Sequence, residues 1–191
     1  PLIANAWQHI AVCRSGNTWT VYINGIANGS ATVSGTVTSA AETLTIGQRS
    51  GQTDFQGYMS DIHIYKGAAK YTSDFVLPAT SPDILPDTPS GVSGGSKLTK
   101  ITDGAVSFDG TGDYLSLASN TDFGLVEGNW TVECYAYITG LTNTYGRLWY
   151  LEGDSSSSID GVYFSNTHMS MGTTNVWSVG DGTGGEYFQN K

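Results

Sequence analysis

Apolar and polar residues alternate along most of this chain, and a period of two residues predicts β-strands. Within residues 19–25, Trp19, Val21 and Ile23 fall on one side, and the segment ends in an Asn-Gly pair typical of a hairpin turn. The same pattern predicts strands over residues 7–14, 19–25, 43–47, 55–65, 105–110, 113–117, 130–138, 147–151 and 161–165. Apart from one short helical turn predicted over residues 66–71, no segment has a helical period.

Turn residues recur about every ten positions, a spacing typical of a β-sandwich. The predicted fold is therefore all-β, an antiparallel β-sandwich. The alternation assigns one set of side chains to the buried face: Ile62, Ile64, Val106, Phe108, Val132 and Cys134. We assign Trp7, Trp19 and Trp130 to the core or to packing at strand edges.

A segment rich in proline, glycine and serine interrupts the strands. Residues 78–99 contain four prolines in quick succession, followed by a Gly/Ser run, and prolines lack the N–H that a strand ladder needs. This composition predicts a linker over residues 78–99, between strand regions 1–77 and 100–191.

Charge excludes two classes of partner. Eight basic residues stand against seventeen acidic ones, a net charge of −9, whereas proteins that bind nucleic acid or anionic membranes concentrate positive charge. No apolar run is long enough to span a bilayer. We therefore expect neither nucleic acid nor membrane as a partner.

Several motifs, taken in order, resemble one family. WQHIAV at residues 7–12, YING at 22–25, LTIG at 44–47 and FQGYMSDIHIY at 55–65 are similar to the second half of a laminin-G-like, concanavalin-A-like jelly-roll domain. VSFDGTGDYL at 106–115 and WTVEC at 130–134 resemble the first half, and the segment after Ile64 resembles versions found in phage and marine-microbe surface proteins. The resemblance implies a jelly roll.

The two halves stand in the reverse of the family's order, with the second half first. Either the chain is cut across a tandem array, and neighbouring repeats or chains supply the missing halves, or the halves pack on each other as a circular permutant. Half a sandwich would expose its apolar face and strand edges. Because Pro1 and Lys191 look like cut ends, we favour completion by neighbours, and with it self-association.

Catalysis finds no support in the sequence. Glucanases of the related fold carry paired carboxylates on alternate positions of one strand, and retaining chemistry needs the pair about 5 Å apart. No glutamate here has such a partner, and the three histidines lack metal-ligand spacing. We predict no catalytic residues and no enzymatic activity.

Calcium is the cofactor that the sequence suggests. Asp109 and Asp113 flank a glycine-rich loop that offers the hard oxygen ligands calcium prefers. The family resemblance adds Asp61 to this set. The alternative is that Asp109 simply starts a turn through its side-chain oxygen.

A glycan-stacking platform is the second candidate site. Pyranose rings stack on aromatic faces, and four aromatic residues of the last third of the chain are candidates: Tyr145, Trp149, Tyr150 and Trp177. The alternative is that these rings belong to the core. Cys13 and Cys134, the only cysteines, are either two buried apolar side chains or one disulfide.

These features favour a non-enzymatic structural or adhesion module, in a virion appendage such as a tail fibre or decoration, or in another extracellular surface assembly. The virion setting rests on the family resemblance alone. A calcium-dependent carbohydrate-binding module of a secreted protein is the alternative. Both place the chain outside the cell or on a virion surface.

Overall fold

Twelve strands and one short 3₁₀ helix account for the regular structure of the described residues. The computed structural model describes residues 2–32, 42–48, 54–77, 104–123, 125, 128–140, 146–152, 161–164, 169–171 and 177–179. The strands are β1 Trp7–Ser15, β2 Thr18–Ile23, β3 Ile26–Thr32, β4 Glu42–Ile46, β5 Gln56–Lys66, β6 Val106–Asp109, β7 Leu115–Asn120, β8 Trp130–Ile138, β9 Gly146–Glu152, β10 Gly161–Phe164, β11 Met169–Met171 and β12 Trp177–Val179. The 3₁₀ helix covers Thr121–Phe123. Within these ranges, no helix is long and apolar enough to cross a membrane.

The strands form two six-stranded antiparallel sheets. The first sheet has the order β3-β2-β1-β8-β5-β6 and the second has the order β12-β11-β10-β9-β4-β7. Their apolar faces share one core, to which the first sheet contributes side chains such as Val12 and Val132, and the second contributes Leu44 and Leu151. The predicted antiparallel β-sandwich is confirmed.

Each sheet contains strands from both halves of the chain. In the first sheet β8 lies between β1 and β5, pairing Val132 with Val12 on one side and with Ile64 on the other. In the second sheet β4 lies between β7 and β9. Described strands from residues 1–77 and from residues 100–191 therefore pair with one another inside this chain. The whole of the predicted linker 78–99 lies outside the described residues.

A bulge in β5 keeps its isoleucines on the core side. Asp61 has a left-handed φ of 54°, and the pairing with β8 shifts between Ser60 and His63. Such a bulge reverses the alternation of side chains beyond it. Ile62 and Ile64 consequently pack against the core, while His63 points to the outer face opposite Glu133.

The segment after β5, residues 67–77, crosses the outer face of the first sheet, and we call it the strap. Tyr71 and Phe75 pack on Ala11, Cys13 and Tyr22. The prediction of a helical turn over residues 66–71 is wrong, because this segment bonds to the sheet instead of to itself. The backbone N–H of Lys70 donates to Thr131 Oγ1 at 2.8 Å, and the same hydroxyl donates to the carbonyl of Ala68 at 3.1 Å.

One glycine permits the close approach of the strap. Asn24 and Gly25 have φ values of 52° and 80°, as a tight hairpin turn between β2 and β3 requires. The backbone N–H of Phe75 donates to the carbonyl of Gly25 at 2.9 Å. A Cβ at position 25 would collide with the carbonyl oxygen of Phe75.

The burial predicted for Val106 is wrong, whereas Phe108, Val132 and Cys134 are buried as predicted. Val106 is 40% exposed because β6 is the last strand of its sheet. For Trp7, the core alternative is also wrong, and its ring packs against Tyr137 at the start of β1. Its side chain lies on the outer face of β1 and is 48% exposed, while Trp19 and Trp130 are buried in the core.

Candidate functional site

A buried carboxylate lies at the centre of the first sheet's outer face. Alternation along β8 places Val132 and Cys134 in the core, and Glu133 between them on the opposite face. Glu133 pairs with Ala11 of β1 and His63 of β5, and only 4% of its side chain is exposed. A carboxylate this deeply buried needs charged partners to remain ionised.

The strap supplies the main partner. Lys70 Nζ forms a short ion pair with Glu133 Oε1 and donates to the Tyr65 hydroxyl at 3.1 Å. Two histidines complete the surroundings, with His9 Nε2 lying 3.4 Å from Glu133 Oε2 and His63 Nδ1 lying 3.7 Å from Oε1. Glu133 thus binds the strap to the sheet.

These contacts decide the ionisation of the cluster. Burial alone would raise the pKa of Glu133, but hydrogen bonds from His9, Lys70 and Tyr71 and the positive charge of Lys70 outweigh it and lower the pKa to about 2. Burial would also lower the pKa of Lys70, but its bonds to Glu133, Tyr65 and Tyr71 raise it overall. Burial together with the neighbouring Glu133 raises the pKa of Tyr71 to about 12.

A carboxyl group with this pKa stays ionised at neutral pH and has no proton to give. General-acid catalysis needs the opposite shift, toward the working pH. The neighbouring Asp61 is held by His63, whose Nε2 lies 3.3 Å from Asp61 Oδ1. The arrangement around Glu133 therefore suits a structural tether better than hydrolysis.

The loop between β6 and β7 uses its carboxylates to fix its own backbone. Asp109 Oδ1 accepts from the N–H of Thr111 at 2.6 Å, and Asp113 Oδ2 accepts from the N–H of Asp109 at 3.1 Å. Asp54 reaches the same loop and accepts from the N–H of Gly112. These hydrogen bonds fit the alternative in which Asp109 starts a turn through its side-chain oxygen.

The structure separates the third predicted calcium ligand from the other two. Asp109 pairs with Gln56, and Asp61 lies five residues farther along β5, on the order of 16 Å away at the rise of a strand. Asp61 therefore cannot share an ion with Asp109 and Asp113. Within the part of the chain that the structure describes, no three His, Cys, Asp or Glu side chains are grouped to hold a metal. Calcium binding by this chain stays a prediction.

The predicted sugar platform is not assembled on the described surface. Trp149 belongs to the core, where its ring meets Trp130 edge-on at 6.2 Å, and it is 5% exposed. Tyr150 is equally buried, with the Arg147 guanidinium 5.8 Å from its ring centroid. Trp177 begins β12, and Tyr145 lies outside the described residues. Burial on both sides of β9 leaves neither Trp149 nor Tyr150 an open face for a ligand.

An exposed set of rings, which the sequence did not reveal, crosses the outer face of the first sheet. We call Trp7, Tyr137 and Tyr58 the aromatic row, since they occupy paired positions on the neighbouring strands β1, β8 and β5. The ring centroids of Trp7 and Tyr137 are 5.7 Å apart, and those of Tyr58 and Tyr137 are 6.0 Å apart. Trp7 and Tyr58 are 48% and 41% exposed. The strap, which packs over Ala11, Cys13 and Tyr22, leaves the row open.

The match to a known family lies within the first of the two halves of the chain. Residues 1–71 match the laminin G family model described as the concanavalin A-like lectin/glucanases superfamily. The match runs from before β1 through β5 to Tyr71 of the strap. Searches of curated proteins and of solved structures found no match.

The similarity of residues 1–71 to the concanavalin A-like superfamily agrees with the fold and bears on function. The superfamily match supports a lectin-like or adhesion module, and laminin-G-like domains are typically not catalytic. The aromatic row draws Trp7 and Tyr58 from within the matched residues and Tyr137 from outside them.

The two cysteines cannot form a disulfide with each other, because they lie on opposite faces of one sheet. Cys134 is in the core, and Cys13 lies under the strap, where Thr131 Oγ1 is 3.2 Å from its sulfur. Burial raises the pKa of both thiols, that of Cys134 to about 12. Both therefore remain protonated and unreactive at neutral pH, which resolves the alternatives that the sequence left open.

Proposed function

We propose that this chain is a non-enzymatic structural or adhesion module of a surface assembly, and that copies of it join edge to edge. The assembly is a virion appendage, such as a tail fibre or decoration, or another extracellular surface structure. The observation that carries the proposal is an apolar strand edge at one side of the sandwich. We call Val106, Leu115 and Leu117 the open edge.

Strand register shows why these side chains are unusual. Leu115 and Leu117 pair with Ile46 and Leu44 of β4, so they point to the core side of the second sheet. Their partners are 8% and 2% exposed, whereas Leu115 and Leu117 are 42% and 48% exposed. Val106 lies at the corresponding end of the first sheet. Within the part of the chain that the structure describes, both sheets therefore end at this side in exposed apolar residues.

The sequence of β7 does nothing to block pairing with another chain. Edge strands of monomeric proteins usually carry lysine, proline or a bulge that discourages such pairing. The β7 sequence, LSLASN, has no charge and no proline. Among the described strands, β7 is the last of its sheet and has β4 as its one neighbour.

A second copy of the chain is the partner that fits. Two antiparallel β7 strands related by a twofold axis form a self-complementary contact that closes as a dimer. The paired sheets would continue across the dimer, with the leucines of each copy covering those of the other. Because β7 is uncharged, it adds no local repulsion to that which a net charge of −9 brings to a contact between copies.

The ionisation of Glu133 supports a role without catalysis. Its low pKa and its engagement with Lys70 leave it neither a proton donor nor a free nucleophile. The family's typical lack of catalytic activity points the same way.

A calcium-dependent carbohydrate-binding module of a secreted protein is the second candidate. The exposed aromatic row favours its carbohydrate part, because open rings on a sheet face suit sugar stacking. The role of calcium has less support, since Asp109 and Asp113 already accept hydrogen bonds from the loop backbone.

Leu117→Lys is expected to abolish self-association. A lysine there would place a charge in the dimer contact without touching the core, because Leu117 is already half exposed. Sedimentation velocity over a range of concentrations should show a reversible dimer for the wild type and a monomer for the variant. Val76→Lys is the matched control, since Val76 is 94% exposed and lies on the strap, and it should dimerise as the wild type does.

The proposal fails if the wild-type chain remains monomeric at the highest soluble concentration. It also fails if Leu117→Lys dimerises with unchanged affinity, because the contact would then lie elsewhere.

A further inference from the structure

Five of the described strands find their ladder partners in the other half of the chain. We call residues 1–77 the leading half and residues 100–191 the trailing half. The leading-half strand β4 pairs with β7 and β9, and the leading-half strand β5 pairs with β6 and β8, all of them from the trailing half. Conversely, β6, β7 and β8 pair only with described strands of the leading half. Each half therefore relies on the other to hold these five strands.

The deepest junction between the halves is the place that β8 occupies. This strand enters between β1 and β5, so both of its edges bond to the leading half. On its core side, the ring of Trp130 meets that of Trp19 edge-on at 4.9 Å, and both side chains are 1% exposed. The leading half thus offers a slot with a hydrogen-bonding edge on each side and an apolar floor, which fits one strand.

Side-chain contacts across the junction select one register. Lys70 of the leading half bonds to the buried Glu133 of the trailing half, and the N–H of Lys70 donates to Thr131 Oγ1. A Cβ at Gly47 would collide with the ring of Phe108, so the glycine leaves the space that this ring fills. A slip of one residue would turn Glu133 into the core and leave its charge unpaired. The two halves therefore recognise each other specifically.

These contacts do not require that both halves belong to the same chain. The predicted linker, residues 78–99, joins the halves, and a segment of that length has a maximal reach on the order of 70 Å. A domain of this size is about 40 Å across. The trailing half can therefore reach the leading half of an adjacent copy. An exchanged pair makes the same ladders as a chain that pairs its own halves, so exchange costs little contact energy.

Concentration decides between the two arrangements. A tether of about twenty residues gives the halves an effective concentration on the order of 1 mM toward each other. In dilute solution each chain pairs its own halves, whereas copies crowded to a comparable local concentration compete for them. Exchange also requires β8 to leave two ladders at once, which is close to global unfolding. The choice of partner is therefore made as the chains fold.

We propose that the leading half of one copy binds the trailing half of another, so that copies link by exchanging halves. The binding surface is the slot between β1 and β5, together with the strands on either side of β4. Two copies that exchange both halves close as a dimer, whereas successive exchanges build an open chain that lengthens. This linkage does not use the open edge, and it stands or falls separately from edge-to-edge contact.

Two full-length variants with defects in different halves test the exchange. Val12→Asp disables the leading half and Val132→Asp the trailing half, because each places a charge at a core position that is 2% or 3% exposed. Both chains also carry Leu117→Lys, so that the open edge does not contribute. They are refolded together from urea, to a urea concentration at which Leu117→Lys alone is folded and each double variant alone is unfolded. Near-ultraviolet circular dichroism and sedimentation velocity follow the mixture.

The mixture should fold because one exchanged pair contains an intact half of each kind. If Leu117→Lys is folded about 100:1 under these conditions, an effective concentration of about 1 mM predicts a Kd of about 10 µM for the exchanged pair. At about 100 µM of each chain, the mixture should regain about a third of the native dichroism, since each folded sandwich uses two chains, and it should sediment as two chains. Dilution to about 1 µM should remove nearly all of this signal.

Ile10→Asp mixed with Val12→Asp, again with Leu117→Lys in both, is the matched control. Both defects lie in β1, so neither chain supplies an intact leading half, and this mixture should stay unfolded. The proposal is overturned if the pair with defects in different halves regains no more structure than this control. It is also overturned if the recovered species sediments as single chains. Dimerisation through the open edge is measured on chains with intact halves, so failure there is a separate result.

Discussion

Val132→Asp is expected to unfold the chain or to lower its melting temperature by about 10 °C or more. Val132 is 3% exposed on the core side of β8, a strand paired on both sides. An aspartate there would be a buried charge without a partner, which costs about 4 kcal/mol or more. A typical domain has only about 5–15 kcal/mol of stability to lose. Thermal unfolding followed by circular dichroism measures the effect.

Val76→Asp is the matched control for this prediction. It makes the same chemical change at a side chain that is 94% exposed, and its melting temperature should stay close to that of the wild type. If Val132→Asp melted at the wild-type temperature, the facing of β8 would be inverted, and Glu133 would lie in the core instead.

Lys70→Ala is expected to destabilise the fold by about 2–3 kcal/mol. Removing one partner of a buried ion pair leaves the other charge uncompensated, which costs about 3–5 kcal/mol in fully buried pairs. The effect should be smaller here, because the side chain of Lys70 is 37% exposed while that of Glu133 is 4% exposed. Chemical denaturation with urea gives the free energy of unfolding directly.

The double variant Lys70→Met with Glu133→Leu should recover much of that loss, since it removes both charges and fills the space with apolar groups. Additive losses from the two substitutions would contradict a direct pair between them.

Acid should weaken the same tether. The pKa of Glu133 falls from 4.5 to about 2 on folding, so its contribution to stability is present above pH 4.5 and is lost as the pH drops toward 2. Glu133→Gln should flatten this part of the acid-unfolding curve.

Most strands of the two sheets could be predicted from the sequence, because apolar and polar residues alternate along a strand wherever one of its faces is buried. It missed β3, whose residues IANGSAT are small and mostly polar and lie at the edge of the first sheet, where little apolar contact is required. It also missed β11 and β12, which are three residues long and too short for a period to appear. The predicted helical turn failed because the strap finds its bonds in Thr131, far along the chain.

The candidate site was harder to predict, because its contacts join distant segments. Glu133 is one of the glutamates without a carboxylate partner in the sequence, and its partner Lys70 lies 63 residues away, with no local pattern to link them. Trp7 was assigned to packing because tryptophan is usually buried. Its exposure depends on where the strap ends, which the sequence alone does not specify. The bulge at Asp61 left one visible sign, the three-residue step from Met59 to Ile62 where alternation predicts two.

Hydrogen exchange followed by mass spectrometry tests most directly the claim that both halves of the chain build one sandwich. The amides of β1 and β8 bond to each other across the two halves, so they should exchange only through a shared opening. We predict that peptides from both strands show the same free energy of opening, within about 1 kcal/mol, and lose protection together as urea is added. Protection of β1 alongside free exchange of β8 would contradict the claim, because each half would then depend on partners outside the chain.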